Sequence, residues 1–404
     1  MAAGSQSAIP KPKSAIRRMI RYIYRKKSLI LAAWLFDVIC GGGWRLVRVI
    51  TPSRGRRPAE LPPSPRVAFI RLDGVGDVVD SLQAARAVKA RFPDGALCLI
   101  VQKRVAALIS TQPFVDQVLA VDFELYSPAT GLFRSIRNIF RLRRLLAANR
   151  FDIAVEPRGD PRIILAMWAS GIPVRIGVRS AGAAFLLTAS CDYTRSIPEA
   201  AHNLLVASLL GVKEPEEPFR LEAGPEVWES LLGDYPMLRR PFFVVHSSGT
   251  MQTRIWPVER FAEALDAIAE RYGLLPVIDG GSDCLPDAEK MTRLCRAQIL
   301  NLAGKTDLVQ LCALTSHARL FLGNNSGPAH IAAYSGCPTV IVFGGANDPA
   351  VWKPPGEHVA AVANMLDCSP CDLRFCPDPK CMTGISVADV LEAVDKLLSH
   401  YPKS

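Results

Sequence analysis

The sequence predicts an α/β protein made of two Rossmann-like, doubly wound parallel-sheet domains facing across a cleft. From residue 67 onward, short apolar runs alternate with longer amphipathic segments, as βαβ units require. That rhythm breaks over 213–240, where acids, prolines and glycines gather, and restarts at 242. The size agrees: 404 residues, 49% hydrophobic, suit two buried cores and exclude a disordered chain.

Ahead of the fold lies an arm with its linker, 1–65. Residues 1–60 hold thirteen Lys or Arg and two acids, a net of +11; the whole chain carries +10, so residues 61–404 net −1. The basic character therefore belongs to the arm, and a nucleic-acid-binding core, which needs a basic face, is excluded. Within 15–27, Ile16, Met19, Ile20 and Ile23 share one helical face while Arg17, Arg18, Arg21, Arg25, Lys26 and Lys27 crowd the rest. The apolar run over 29–40 is interrupted by Asp37 and is shorter than the roughly 20 residues of a membrane span. Trp34, Phe36 and Trp44 suit a headgroup zone. The arm thus reads as an interfacial anchor on an anionic membrane surface. A signal peptide is the competing reading, but no small-x-small cleavage site follows the run. The Pro-, Arg- and Ser-rich stretch 51–65 is the linker.

The first domain, 66–225, predicts strands over 67–72, 97–101, 118–121, 151–155 and 174–178, and helices over 78–90, 132–148 and 162–170. The second, 241–385, predicts strands over 242–246, 275–279, 320–323 and 339–343, and helices over 258–271, 308–315 and 329–335. A last helix over 387–398, within 386–404, is expected to pack back on the first domain.

Ligands of such sheets sit at the carboxyl ends of strands, so the loops there carry the chemistry. After the first strand comes Asp73-Gly74-Val75-Gly76-Asp77. Its glycines permit close backbone approach by a ligand, and Asp77 is either a helix cap or a carboxylate able to take a proton from a hydroxyl. His246-Ser247-Ser248-Gly249-Thr250 leads to Arg254. Ser247, Ser248 and Thr250 can donate to phosphate oxygens and Arg254 can grip two at once; an ordinary capped loop is the plainer reading. Asn324-Asn325-Ser326-Gly327-Pro328-Ala329-His330 opens a helix, and free N–H groups there make an anion site. Asp283, near another strand end, suits ribose hydroxyls or is simply a turn carboxylate.

Eleven cysteines are too scattered for a disulfide scaffold and point to a reducing, cytoplasmic compartment. Four cluster as Cys368, Cys371, Cys376 and Cys381, spaced C-x2-C-x4-C-x4-C. They predict either a structural zinc or iron site or a loop of reduced thiols.

Taken together, these loops resemble glycosyltransferase family 9, the heptosyltransferases of lipopolysaccharide assembly, over 66–397. The matching stretches are R-L-D-G-V-G-D-V-V from Arg71, R-I-W-P from Arg254, L-A-G-K-T-D-L from Leu302 and G-N-N-S-G-P-A-H-I-A-A from Gly323. Phe343-Gly344, the C-S-P-C at Cys368, E-P-R-G-D at Glu156 and R-I-G at Arg175 add to them. The resemblance implies the GT-B architecture and inverting transfer of a heptose or related sugar from a nucleotide diphosphate donor, ADP-heptose. The acceptor it implies is lipopolysaccharide or another glycolipid at the inner membrane. It makes Asp77 the general base, puts Arg254 where the family has a phosphate-binding lysine, and places Ser247, Ser248, Ser326 and Gly327 at the diphosphate. Asp283 falls on the donor ribose, while His330 ends the motif without a clear role. Asn325 stands where many members have Asp, so no metal cofactor is expected to be required. Arg71 and Arg158 are expected at acceptor phosphates or acidic sugars, with Gly76 beside them. Rival readings are a different sugar or a protein acceptor, a nucleotide-sugar epimerase, and a non-catalytic binding protein.

Overall fold

The computed structural model describes Val38 and residues 61–401 apart from 124, 127–131, 180, 181, 195, 214, 216 and 250. The basic arm and its expected membrane contact lie outside the described residues, as does Thr250. Among the described residues, no helix is long and apolar enough to cross a membrane.

The first half is a six-stranded parallel sheet of β1 (Arg66–Arg71), β2 (Ala96–Gln102), β3 (Gln117–Val121), β4 (Ile153–Glu156), β5 (Val174–Val178) and β6 (Ala189–Cys191). Its helices are α1 (Val75–Arg91), α2 (Lys103–Ser110), α3 (Leu132–Asn149), α4 (Pro161–Ala169) and α5 (Glu199–Ser208). Helix α6 (Pro225–Asp234) bridges to the second sheet: β7 (Phe242–His246), β8 (Leu275–Ile278), β9 (Leu300–Asn301), β10 (Phe321–Asn324), β11 (Thr339–Phe343) and β12 (Val359–Ala363). Around it run α7 (Val258–Tyr272), α8 (Leu285–Leu294), α9 (Leu308–His317), α10 (Gly327–Tyr334), the short α11 (Pro349–Trp352) and α12 (Lys380–Thr383), and α13 (Val387–His400).

The two sheets repeat one plan. The orders are β3-β2-β1-β4-β5-β6 and β12-β11-β10-β7-β8-β9. Counted within each half, both place the first and fourth strands side by side, so the connections diverge there and leave a crevice at the carboxyl ends. Continuous apolar runs make this possible. Val67, Ala68, Phe69 and Ile70 of β1 are all buried, as are Phe242 to Val245 of β7, because helices cover both faces of a parallel sheet.

Three expectations need correction. Helix α1 begins at Val75 rather than 78, with Gly74 as its extended N-cap, so Asp77 lies inside the first turn instead of capping it. The stretch 213–240 is more than a connection: Leu231 and Leu238 enter a core cluster with Val206 and Phe242, and Trp228 stacks on His317 at 3.9 Å. Its polar composition concealed a helix that joins the halves. Finally, α13 packs on the second half. Val390, Val394 and Leu397 share a core with Phe261 and Leu265 of α7, and Arg271 pairs with Asp395 at 2.6 Å. Amphipathic spacing shows that a helix has an apolar face but not which sheet receives it.

Candidate active site

The carboxyl-end loops of β1 and β4 in one half face those of β7 and β10 in the other. Helices α1 and α10 meet across this gap tip to tip, and glycines let them. A Cβ on Gly76 would lie 2.9 Å from the His330 ring, and one on Gly327 would lie 2.6 Å from Val75. The close approach expected of a ligand at Gly76 is thus made by the opposite half of the protein. His330 does not line the gap passively: its Nδ1 meets Asp80 Oδ1 of α1 at 2.9 Å, with both side chains buried. Burial opposes the charge on His330, but the Asp80 carboxylate outweighs it, with help from Asp77, and raises the imidazole pKa.

Around Asp77 the first half assembles a buried charge network. The Arg71 guanidinium is 2% exposed and sits 3.0 Å from Asp73, 2.9 Å from Glu199 and 3.5 Å from Asp77, while also donating to Asn203 at 3.2 Å. Its charge is answered by three carboxylates within the chain, although Nε lacks a hydrogen-bond partner of its own, which leaves little of that charge for the expected acceptor phosphate. Arg71 instead positions Asp77, whose Oδ2 accepts the Gly74 N–H at 3.0 Å. Two fixed donors hold the carboxylate in one orientation at the gap. Arg158 pairs with Asp73 at 2.9 Å and lies 4.0 Å over the Tyr126 ring, yet its side chain keeps 42% exposure. Glu156, wholly buried at the end of β4, accepts the backbone N–H groups of Gly159 and Asp160. Burial, reinforced by Asp160, pushes its carboxyl up to about 8.

The second half shows the opposite condition. His246 Nδ1 donates to the Asp279 carbonyl at 3.0 Å, which leaves Nε2 to accept from Ser248 at 3.1 Å. Burial lowers this imidazole to about 4, so it is neutral and orients the hydroxyl. Asn324 ties the loops together: its amide donates to the Ser247 carbonyl, and its oxygen accepts from the Trp256 N–H at 3.0 Å. Against this frame stand polar groups with nothing to bind. Arg254 Nε, Ser326 Oγ and Ser247 Oγ are buried without a hydrogen-bond partner among the described residues. Burial lowers the Arg254 pKa, while the carboxylates of Asp77 and Asp372 pull it back up. Ser326 is the N-cap of α10 but its side chain caps nothing.

A cleft of about 590 Å³ joins the halves, lined by Asp77 and Arg158 from one and by Ser248, Arg254, Asp283, Asn325, Ser326, Gly327 and His330 from the other. A smaller cavity of about 260 Å³ adjoins it, lined by Arg71, Asp73, Asp77, Arg158, Tyr193, Glu199, Asp348, Trp352 and Asp372. Asp77, Arg158 and Trp352 face both spaces. Of the residues expected from sequence, Ser247 turns inward, off the cleft lining, and Arg71 borders only the smaller cavity. Sequence reading missed Asp73, Asp80, Glu199, His246, Asn324 and Trp352. Asp73, His246 and Asn324, within the loops already singled out, left a signal; Asp80, Glu199 and Trp352 left none.

The cysteine segment does not form a metal centre. Among the described residues, no three His, Cys, Asp or Glu side chains gather as a metal ion requires. Cys368 is exposed and Cys381 buried, and all four carry free thiols. Backbone N–H groups organise the segment instead: Cys371 donates to the Gly345 carbonyl at 3.0 Å, Asp372 to the Ala346 carbonyl at 3.2 Å, and Cys376 to the Gln252 side-chain oxygen at 3.1 Å. They hold Asp372 at the rim of the smaller cavity. Of the two readings, the zinc or iron site does not fit this arrangement.

The model of glycosyltransferase family 9 (heptosyltransferase) matches residues 139–382. Lipopolysaccharide heptosyltransferase 3 of Escherichia coli K12 is 24% identical over 337 residues, covering 80% of this chain and 95% of that one. The fold is similar to a glycosyl transferase family 9 protein of Veillonella parvula, with a TM-score of 0.73 at 20% identity over 85% of this chain and 99% of that one. It is also similar to an E. coli ADP-heptose heptosyltransferase II, with a TM-score of 0.68 at 19% identity over 83% and 99%.

Proposed function

Since the chain belongs to glycosyltransferase family 9, we propose that this glycosyltransferase moves a heptose from ADP-heptose onto a sugar of the lipopolysaccharide core, with inversion at the anomeric carbon. The observation that carries the reading is the single cleft into which Asp77 projects from one half and Arg254, Ser326 and the start of α10 from the other. The relatives named above, a lipopolysaccharide heptosyltransferase and an ADP-heptose heptosyltransferase, supply the sugar, nucleotide and acceptor class.

In this reading the donor diphosphate lies on the α10 N-terminus. The free N–H groups there, the Ser326 hydroxyl and the Arg254 guanidinium satisfy its oxygens and stabilise the charge that grows on the leaving nucleotide. Ser248, whose one proton is held by His246, offers its oxygen as an acceptor beside Asp283, which receives the ribose hydroxyls. The acceptor occupies the smaller cavity. Five carboxylates and two arginines line that cavity, and Arg71 is internally paired. Such a wall suits a hydroxyl-rich sugar ring over Trp352 and Tyr193, with Arg158 the one cation available to an acidic substituent. Asp77 stands where the two spaces meet. It takes the proton of the acceptor hydroxyl as that oxygen bonds to the anomeric carbon, and the bond to the diphosphate oxygen breaks on the opposite face. Cationic and amide donors carry the diphosphate charge, so no metal cofactor is invoked. The basic arm, 1–65, places the enzyme on the cytoplasmic leaflet of the inner membrane, where a lipid-linked acceptor is presented.

The test is ADP release by the purified chain with ADP-heptose and a deacylated core oligosaccharide. Release is expected to require the acceptor and to give the inverted anomer by NMR. Asp77→Asn should lower kcat by about 10²–10⁴ with ADP affinity retained. Unchanged turnover in that variant would remove Asp77 from the role of base. Turnover of a UDP- or GDP-sugar alone would overturn the donor.

A further inference from the structure

Outside the cleft, one described helix combines exposed aromatics with unopposed positive charge. Helix α3 reads LFRSIRNIFRLRRLLAAN and contains five arginines and no acid. Residues 61–404 net −1 overall, so the remainder of that region nets −6 and α3 is its basic focus. Its inner face is ordinary: Leu142 and Leu146 are fully buried against the β4 side of the sheet with Ile163, Ile164 and Met167 of α4. Its outer face is not. Phe133 is 89% exposed, Phe140 57% and Ile136 42%. At 3.6 residues per turn these three fall within about 60° of arc. Arg137, Arg144, Arg141 and Arg134 fan out along one side of that ridge, and Arg143 lies along the other.

Only part of this charge is answered within the chain. Arg141 pairs with Asp122 at 2.5 Å and lies over Phe123, and Arg143 donates to the Ala169 carbonyl at 3.0 Å. Arg134, Arg137 and Arg144 make no ion pair among the described residues. An apolar ridge with a cationic flank matches an interface that is apolar inside and anionic at its surface. A nucleic acid would meet the arginines but leave two phenylalanines and an isoleucine without an apolar partner.

We infer that the outer face of α3 docks on an anionic lipid bilayer, with Phe133, Ile136 and Phe140 among the acyl chains and Arg134, Arg137 and Arg144 on the headgroup phosphates. The position suits the enzyme. Tyr126, in the segment leading into α3, lies under Arg158, which faces both the cleft and the smaller cavity. Docking α3 therefore turns the acceptor side of the site toward the membrane. The inference rests on the transfer reading only in that a lipid-linked acceptor gives this orientation a purpose.

The experiment uses the full chain, its arm included, with vesicles of phosphatidylcholine containing phosphatidylglycerol, and vesicles of phosphatidylcholine alone. Hydrogen exchange over 132–149 should slow on the anionic vesicles. Arg134→Glu/Arg137→Glu/Arg144→Glu should need at least tenfold more anionic lipid for half-maximal sedimentation. Phe133→Ser/Phe140→Ser should weaken binding to the same vesicles. Both variants should keep their turnover on the deacylated, water-soluble acceptor, which shows that they fold. The inference is overturned if the chain binds vesicles with exchange over 132–149 unchanged, since the arm alone then does the docking. It is equally overturned if that segment becomes protected by raising protein concentration without lipid, since a second copy then covers the face. Protection by lipid in a chain that never turns over ADP-heptose would leave this inference standing and remove the transfer reading.

Discussion

Arg71 and Arg254 are both largely buried arginines beside Asp77, one in each half, and their surroundings differ in kind. Arg71 meets three carboxylates and an asparagine within 3.5 Å. Arg254 has a buried Nε without a partner, next to equally unpartnered serine hydroxyls. Both arginines carry an unpartnered Nε, but the charge of Arg71 is answered by carboxylates before any substrate arrives, while Arg254 makes no ion pair among the described residues. A buried unpaired donor costs free energy that a folded protein normally avoids. Such groups occur in both halves, but at Arg254 and Ser326 they border the cleft beside a cation that no carboxylate pairs among the described residues, which suits the anionic ligand proposed there. In the proposed reaction the first half then supplies Asp77, held by Arg71 and the Gly74 N–H, to take the proton of the acceptor hydroxyl.

The largest effect that would break or sharpen this contrast lies at Arg71. Arg71→Met leaves Asp73 and Glu199 buried beside a neutral side chain, and removing one partner of a buried ion network costs about 3–5 kcal/mol. The unfolding midpoint should fall by several degrees with or without nucleotide. An unchanged midpoint would mean that the network is not what holds Asp77 in place.

At Arg254 the expected effect is smaller, and it falls on binding. Arg254→Ala removes a guanidinium whose Nε is unpartnered, so the midpoint of the ligand-free chain should stay level or rise. ADP affinity should drop by about 1.5–3 kcal/mol, the range for hydrogen bonds to charged groups, or roughly tenfold to more than a hundredfold in Kd by calorimetry. Equal losses of stability in the two arginine variants would erase the distinction between the halves.

How much of this was legible beforehand follows the same division. Strands β1, β5, β7 and β11 were readable because a parallel strand covered on both faces is a continuous apolar run. The loops after them were readable because glycine and hydroxyl residues cluster where backbone must approach a ligand. Arg254, Ser326 and Gly327 could be named because their chemistry is local. The charge network around Arg71 could not. Arg71 and Glu199 are 128 residues apart and His330 and Asp80 are 250 apart, and periodicity carries no information about such pairs. The same limit explains why Gly76 was read as space for a ligand when the other half fills it. Helices α2, α5, α6 and α8 and strand β12 were passed over because they are short or sit in polar stretches. The cysteine spacing suggested a metal because spacing ignores backbone, and here backbone bonds direct the segment elsewhere.

The smallest expected effect lies where His330 and Asp80 share a buried charge between the halves. His330 reaches Asp80 across the α1–α10 contact, and its pKa is raised despite burial because the Asp80 carboxylate outweighs the desolvation. A raised folded-state pKa means that the folded chain binds the proton more tightly than the unfolded chain does. The resulting stability is fully present below the unfolded value of about 6.5 and fades as pH rises through the higher folded value. The midpoint should therefore decline on going from mildly acidic to mildly alkaline solution. Asp80→Asn keeps a hydrogen-bonding side chain but removes the charge, so it should lower the midpoint at acid pH and flatten that decline. A decline of the same slope in Asp80→Asn would assign it to another group. Loss of the slope there, with Arg71→Met and Arg254→Ala keeping it, would show that this pair joins the two halves independently of the charge network in one and the anion site in the other.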